Sequence, residues 1–398
     1  MTANAFDCDV AVIGGGPAGC SAAIALAGRG RQVVVVEAKT YPQDKLCGEF
    51  LSPECAGLLA GLGLAETLHA LQPAPIDTAC LTASDGTAWE TRLPGTAWGL
   101  TRRALDEALA ARARAAGAEV RTGCTVTAVE GGLEAGYTLR TRATGGQAST
   151  LRARAVIGAH GKRGALDAAL GRRFMRRPQR FVALKAHFRG PALPGRIELH
   201  GFPGGYCGLS EFEPRAGESG RAANVCLLAR AEVFAAGAGS AAGPERVGAF
   251  VRWMRAQNPR LEAWLGRAEP LGRWLSIAQV PFADKQPVEG GVLMAGDAAG
   301  LITPLAGDGI AMALRAGRLA AEHVSAFLNG DATAEAARRG YAGAWRREFG
   351  PRLRLARALQ GWMLRPAWLG LGLRLLQAAP RLGTYLLVHT RDSRVVVG

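Results

Sequence analysis

A chain of 398 residues, 48% hydrophobic and 20% charged, has material for a sizeable core and is not intrinsically disordered; at this length two interleaved domains, or one large and one small, are expected. Its 54 glycines and 20 prolines follow no fixed period, which excludes collagen-like and low-complexity readings. The net charge of +15 rests on 43 arginines and five lysines, yet no zinc-finger spacing, aromatic RNA-binding signature or lysine/arginine run accompanies it, so nucleic acid is not an expected partner.

The eight cysteines contain no CxxC pair, which argues against a metal site and against a secreted disulfide framework. Residues 1–9 lack the basic-then-apolar pattern of a signal peptide, and no window of 18 uninterrupted apolar residues exists. A reducing cytoplasm is the expected setting.

In chain order, Asp9–Ile13 reads as an apolar strand running directly into Gly14-Gly15-Gly16-Pro17-Ala18-Gly19. Ser21–Arg29 reads as an alanine-rich helix, and Gln32–Val36 as a second strand ending at Glu37 and Ala38. This is a βαβ unit with GxGxxG in its turn: Gly14 permits the turn, Gly16 lets the backbone approach a pyrophosphate, and Gly19 lets helix and strand pack closely. The helix N-terminus offers free amides to phosphate. Glu37 is placed for an adenosine ribose and disfavours a 2′-phosphate, so the nucleotide is FAD or NAD rather than NADP.

Next comes the loop Lys45-Leu46-Cys47-Gly48-Glu49, where Cys47 reads equally as a buried small hydrophobe or as a residue bordering a cofactor. Trp98–Asp106 carries Arg102 into a helix. Val120–Val129 and Tyr137–Arg142 alternate like a meander, with Val126 toward the nucleotide. In Val182–Phe188 the alternation puts Lys185 and His187 on one face. A polar face on an edge strand explains that pair without chemistry; if the face covers a cofactor, His187 becomes a proton donor with an ordinary pKa near 6.5. Tyr206, in Gly204–Gly208, is a core residue or a ligand-facing one. Further on, Gly291–Gly300 is a strand entering a Gly-Asp turn at Gly296-Asp297, followed by Pro304–Gly309 and a helix from Ile310. The tail from Arg352 to Leu387 alternates leucine and tryptophan with arginine, broken at Pro366 and Pro380. Such a basic amphipathic surface suits a membrane interface, a tunnel mouth, or simply a helix packed on the domain.

Taken together, the two glycine-rich segments resemble those of FAD-dependent oxidoreductases of the glutathione-reductase type, in the branch of aromatic hydroxylases and geranylgeranyl reductases. The resemblance implies an α/β fold: a Rossmann-like FAD-binding domain split in sequence (1–75, 97–175 and 285–345), a strand-rich substrate domain (76–96 and 176–284) and a helical C-terminal tail (346–398). It assigns Asp297 to the ribityl chain, Pro304, Gly307, Asp308 and Gly309 to the flavin pyrimidine, and Arg102 and Lys45 to the phosphates. Cys47 and Gly48 fall in a Cys-Gly motif of the reductase group, which lies by the flavin ring. At 160–161 the sequence has His-Gly where hydroxylases carry Asp-Gly. After Tyr206 it has Gly208, Ser210 and Glu211 where the reductases' GYxWxFP motif has Trp, Phe and Pro. No compelling catalytic residue follows; Lys185, His187, Cys47 and Tyr206 are the candidates.

The resemblance leans toward a monooxygenase hydroxylating an aromatic or polyketide-like hydrophobic molecule with NAD(P)H and O2. Its alternatives are a reductase of C=C bonds in a prenyl or lipid substrate, and a lipid-binding escort protein without activity. With no second nucleotide fold visible, NAD(P)H acts transiently or a separate flavin reductase supplies the electrons.

Overall fold

The computed structural model describes residues 6–389 apart from 179, 214–221, 279, 281 and 283. Strand β1 (Cys8–Ile13) enters the glycine turn, the helix Pro17–Ala27 follows, and β2 (Val33–Val36) lies parallel to β1. The helix begins at Pro17, ahead of the expected Ser21, because proline needs no amide partner in the first helical position. Strands β3 (Phe50–Leu51), β4 (Ala74–Thr82) and β5 (Ala88–Gly99) precede the helix Arg102–Ala115, which Thr101 caps by accepting from the Ala104 amide. Then come β6 (Glu119–Arg121), β7 (Cys124–Gly132), β8 (Gly136–Ala143) and β9 (Ala148–Gly158). The expected stretch Val120–Val129 is thus divided: β6 pairs in parallel with β2, whereas β7, β8 and β9 form the antiparallel meander.

The second half supplies β10 (Phe181–Arg189), β11 (Gly195–Phe202), β12 (Gly205–Glu211), β13 (Ala222–Arg230), β14 (Glu269–Pro270) and β15 (Leu275–Ala278). Two short strands, β16 (Val288–Glu289) and β17 (Val292–Met294), return to the first sheet. That sheet runs β16-β17-β9-β1-β2-β6, and the other runs β14-β10-β13-β12-β11-β4-β5-β3. The expected division between residues 96 and 97 falls inside β5, which is one continuous strand of the second sheet. Nor is β10 an edge strand. It pairs with β13 on one side and with β14 and β15 on the other, so an exposed polar edge does not account for Lys185 and His187.

The alanine-rich helix Pro17–Ala27 is buried on nearly every side, between the first sheet and the helix Gly309–Asn329. A side chain at Gly317 would put its Cβ 2.2 Å from the Ala18 carbonyl oxygen, and the Ser21 hydroxyl donates to the Leu314 carbonyl at 2.7 Å. Only small residues permit that approach. The tail forms three helices, Ala334–Met363, Pro366–Ala378 and Pro380–His389, with Pro366 and Pro380 each opening a helix. Leu369, Leu373 and Leu376 turn inward onto the second sheet. None of the helices among the described residues is long and apolar enough to cross a membrane.

Burial also fixes an alkaline limit. Desolvation first, then nearby acids, pushes the thiols of Cys8 and Cys20 up from 9.0 to about 12. A folded pKa above the unfolded one gives stability that is complete below pH 9 and lost as pH rises toward 12. Thermal melts at pH 7 and pH 10 are expected to show a lower Tm at pH 10; an unchanged Tm would contradict this account.

Candidate active site

The glycine turn is shaped by three different demands. Gly14 has φ of +103°, and a Cβ there would lie 2.4 Å from the Ala159 carbonyl oxygen. Gly19 would place a Cβ 1.8 Å from the Gly14 oxygen, so it serves close packing and does not line the cavity. Gly16 is different: its backbone is extended, and its missing Cβ faces Arg102 Nη2 at 3.5 Å and Lys45 Nζ at 3.9 Å. Two cations and the first amides of a helix therefore converge on an open glycine. Arg102 is held there by a two-point contact with buried Asp106, at 2.8 and 2.7 Å. At the end of β2 the buried Glu37 carboxylate accepts from the Gly15 amide at 2.7 Å and lies 3.9 Å from Lys45.

From this turn a cavity of about 640 Å³ runs between the two sheets, within the usual range for a small-molecule site. Of the residues expected from sequence, Gly14, Gly16, Pro17, Ala18, Glu37, Ala38, Lys45, Cys47, Gly48, Arg102 and Val126 line it. So do Gly296, Asp297, Pro304, Gly307 and Gly309 from the second segment, together with Tyr206. Gly307 adopts φ of +67° and packs against Phe50, turning the chain so that the helix Gly309–Asn329 starts at the cavity wall.

Asp308 is the exception. It does not line the cavity; it is fully buried, with its carboxylate 3.2 Å from the Ser52 hydroxyl and 3.2 Å from Arg352 Nη1. Its neighbours face the cavity because the turn that presents Gly307 and Gly309 directs the intervening side chain inward. Asp308 thus ties the long tail helix to the helix start. Asp308→Ala is expected to cost about 3 kcal/mol in urea denaturation while the protein still takes up flavin; unchanged stability would show the pair to be idle.

Lys185 and His187 do share a face, but neither lines the cavity. Both hold Glu49, which does: Lys185 Nζ lies 2.5 Å from one carboxylate oxygen, and His187 Nε2 lies 2.7 Å from the other. The Arg102 amide donates to the same carboxylate at 2.8 Å. Burial by itself would raise the Glu49 pKa, but the His187 hydrogen bond and the Lys185 charge outweigh it and hold the group below its usual value. Glu49 stood in the Cys-Gly segment without being singled out; its φ of +53° has no sequence signal.

Lys285 and Arg172 escaped the sequence reading. Buried Lys285 donates to the carbonyls of Asp297 and Lys162 at 2.7 and 2.6 Å, which pins the Gly-Asp turn. Desolvation pushes that amine down to about 8. Arg172, also buried, donates to the Ala298 carbonyl at 2.9 Å and to Asp167 at 2.8 Å. His160, in place of the hydroxylases' acid, lines the cavity with Nε2 3.0 Å from Asp167. The far wall is apolar: Leu199, Leu228, Ile277, Val280 and Phe282, with Tyr206 among them.

These residues fit FAD. Glu37 would hold the adenosine ribose; Gly16, Arg102, Lys45 and the helix start the diphosphate; Asp297 the ribityl chain. Pro304, Gly307, Gly309, Cys47 and Gly48 would enclose the ring system. Residues 7–196 match the FAD binding domain family. The chain is 29% identical over 331 residues to the menaquinone reductase of Mycolicibacterium smegmatis, covering 79% of this chain and 75% of that protein. To digeranylgeranylglycerophospholipid reductase 2 of Methanopyrus kandleri it is 29% identical over 365 residues, covering 87% and 84%. Its fold is that of the myxobacterial chondrochloren halogenase CndH, with a TM-score of 0.74 at 24% identity over 88% of this chain and 82% of the halogenase. The protein is an FAD-dependent oxidoreductase, similar over most of its length to menaquinone and digeranylgeranylglycerophospholipid reductases.

Proposed function

We propose that this protein reduces a carbon–carbon double bond in a polyprenyl chain, with NAD(P)H as the electron source. The observation that carries the reading is the continuity of one cavity from the nucleotide turn to a wall of Leu199, Leu228, Ile277, Val280 and Phe282, with Tyr206 among them. A wall of this kind suits an isoprenoid chain, bound by area rather than by paired charges. The reductases related over most of their length act on menaquinone and on a digeranylgeranyl lipid, both of which carry prenyl chains. Bound FAD supplies the hydride-transfer chemistry.

The protein's own contribution is orientation, exclusion of water and a proton. Tyr206 reaches the cavity, and its phenol oxygen accepts from the Leu305 amide at 3.1 Å, which fixes the direction of the hydroxyl. Desolvation raises its pKa far above the ordinary value, so it remains protonated at working pH. Its position on the apolar wall, and not its acidity, which burial lowers, makes it the group that would protonate the second carbon. Tyr206→Phe is expected to lower kcat about 100-fold with flavin content and KM little changed, as for the loss of a general acid. Full turnover in steady-state kinetics would remove Tyr206 from the reaction.

A second reading, oxygenation of a hydrophobic aromatic or polyketide-like molecule with O2, is favoured by one feature. Gly208, Ser210 and Glu211 replace the large residues of the reductases' pocket motif, and Gly208 and Ser210 line the cavity. Product mass separates the two readings. With NAD(P)H and a polyprenyl quinone or polyprenyl lipid, a gain of about two mass units, retained without oxygen, is expected. A gain of about 16 that requires O2 would overturn reduction in favour of oxygenation. Should NAD(P)H fail to bleach the flavin while a reductase partner succeeds, the donor is the partner.

A further inference from the structure

Among the described residues, large apolar side chains are covered almost everywhere except on the tail. The described residues expose six of them, and five lie within the two short tail helices: Trp368 at 58%, Leu371 at 64%, Leu375 at 56%, Leu382 at 40% and Tyr385 at 57%. Trp368, Leu371 and Leu375 recur at three- and four-residue steps and so form one outer stripe of the helix Pro366–Ala378. Leu382 and Tyr385 repeat the pattern on the next helix. The sixth, Leu275, lines the cavity.

The inner face of the same helices is accounted for. Leu369, Leu373 and Leu376 belong to a buried cluster that also contains Tyr206, Leu228 and Val280 of the cavity wall. The helices therefore have two apolar faces, one packed behind the cavity wall and one exposed to solvent. The tail sequence is basic as well: no acidic residue occurs between Glu348 and Asp392, and Arg365 and Arg381 are exposed beside the two helices, while exposed Arg374 lies 3.0 Å from Asp85. Aromatic and leucine side chains beside arginines, on helices too short to span a bilayer, have the chemistry of an interfacial anchor.

We propose that the outer face of the two tail helices docks in the plane of an anionic phospholipid membrane. Trp368, Leu371, Leu375, Leu382 and Tyr385 enter the acyl boundary, and Arg365 and Arg381 meet lipid phosphates. This docking does not depend on which flavin reaction the enzyme performs. A folded protein with a charged surface gains from such a face only where a low-dielectric surface covers it, and the arginine excess selects negative headgroups over neutral ones.

The test is co-sedimentation of the flavin-loaded full chain with vesicles of phosphatidylcholine, with and without roughly 30 mol% phosphatidylglycerol. Binding to the anionic vesicles is expected to be at least about tenfold tighter than to neutral ones and to weaken in about 0.5 M salt. Leu371→Ser with Leu375→Ser, both on exposed positions, is expected to abolish vesicle binding while leaving flavin absorbance and turnover on a detergent-dispersed substrate unchanged. Three results overturn the proposal: equal binding to both vesicle types, vesicle binding retained by the double variant, or a soluble dimer that covers this face and ignores vesicles.

Discussion

Gly16→Val is expected to yield a folded protein that is colourless. The backbone at Gly16 is extended (φ −81°, ψ −171°), and the nearest atoms to an added Cβ are side-chain nitrogens at 3.5 and 3.9 Å, so folding tolerates the change. The new methyls would stand between Arg102 and Lys45, where the diphosphate charges have to sit. Blocking that contact is expected to raise the Kd for FAD by about 100-fold, equivalent to about 3 kcal/mol. The neighbouring Gly14→Ala behaves differently. Its Cβ meets the Ala159 carbonyl at 2.4 Å in a left-handed conformation, so it is expected to lose about 4 kcal/mol of stability before any cofactor effect is visible. Absorbance per protein, read beside urea denaturation, distinguishes the two. A Gly16→Val protein with full flavin content would mean that the diphosphate does not lie on this turn.

The second large effect belongs to Glu49. Glu49→Gln removes the counter-charge of fully buried Lys185 and weakens the contact to His187, both within 2.7 Å. Leaving a buried cation without its partner is expected to cost about 3–5 kcal/mol. Adding Lys185→Met to Glu49→Gln is expected to restore at least half of that loss, since the unpaired charge is then gone. The wild-type protein carries the same signature in its pH dependence. Because the folded pKa of Glu49 lies below its ordinary 4.5, its stabilisation is complete above pH 4.5 and disappears as pH falls through the folded value. The Glu49→Gln variant is expected to lose less stability than wild type on going from pH 6 to pH 3. Parallel acid curves would place the stabilisation elsewhere.

Local sequence carries some of these features because their causes are local. The βαβ unit is written in about thirty consecutive residues, and Gly19 answers a steric demand from Gly14 within the same turn, whereas Gly14 itself is required by the Ala159 carbonyl of another strand end. Arg102 and Asp106 are one helical turn apart, so their pairing follows from spacing. The proline-opened tail helices belong to the same class. The orientation of Asp308 does not: its flanking glycines announce a turn, but which way the carboxylate points depends on Ser52 and Arg352, 256 and 44 residues distant. Glu49 is similar. Its partners lie 136 and 138 residues downstream, and strand alternation showed that Lys185 and His187 face the same way without showing what they face.

The amino-acid order alone pointed to the class of cofactor and to the two distant glycine-rich segments that line one cavity, since backbone sterics and helix-end electrostatics act over a few residues. The tertiary structure decided that Lys185 and His187 stand behind Glu49 rather than in the chamber, that β10 is paired on both sides, and that Asp308 braces the tail. It also left five large apolar side chains uncovered on the tail helices. Those outcomes depend on sheet order and on contacts between segments far apart in the chain, where burial and pairing of charges, not local propensity, set the free energy.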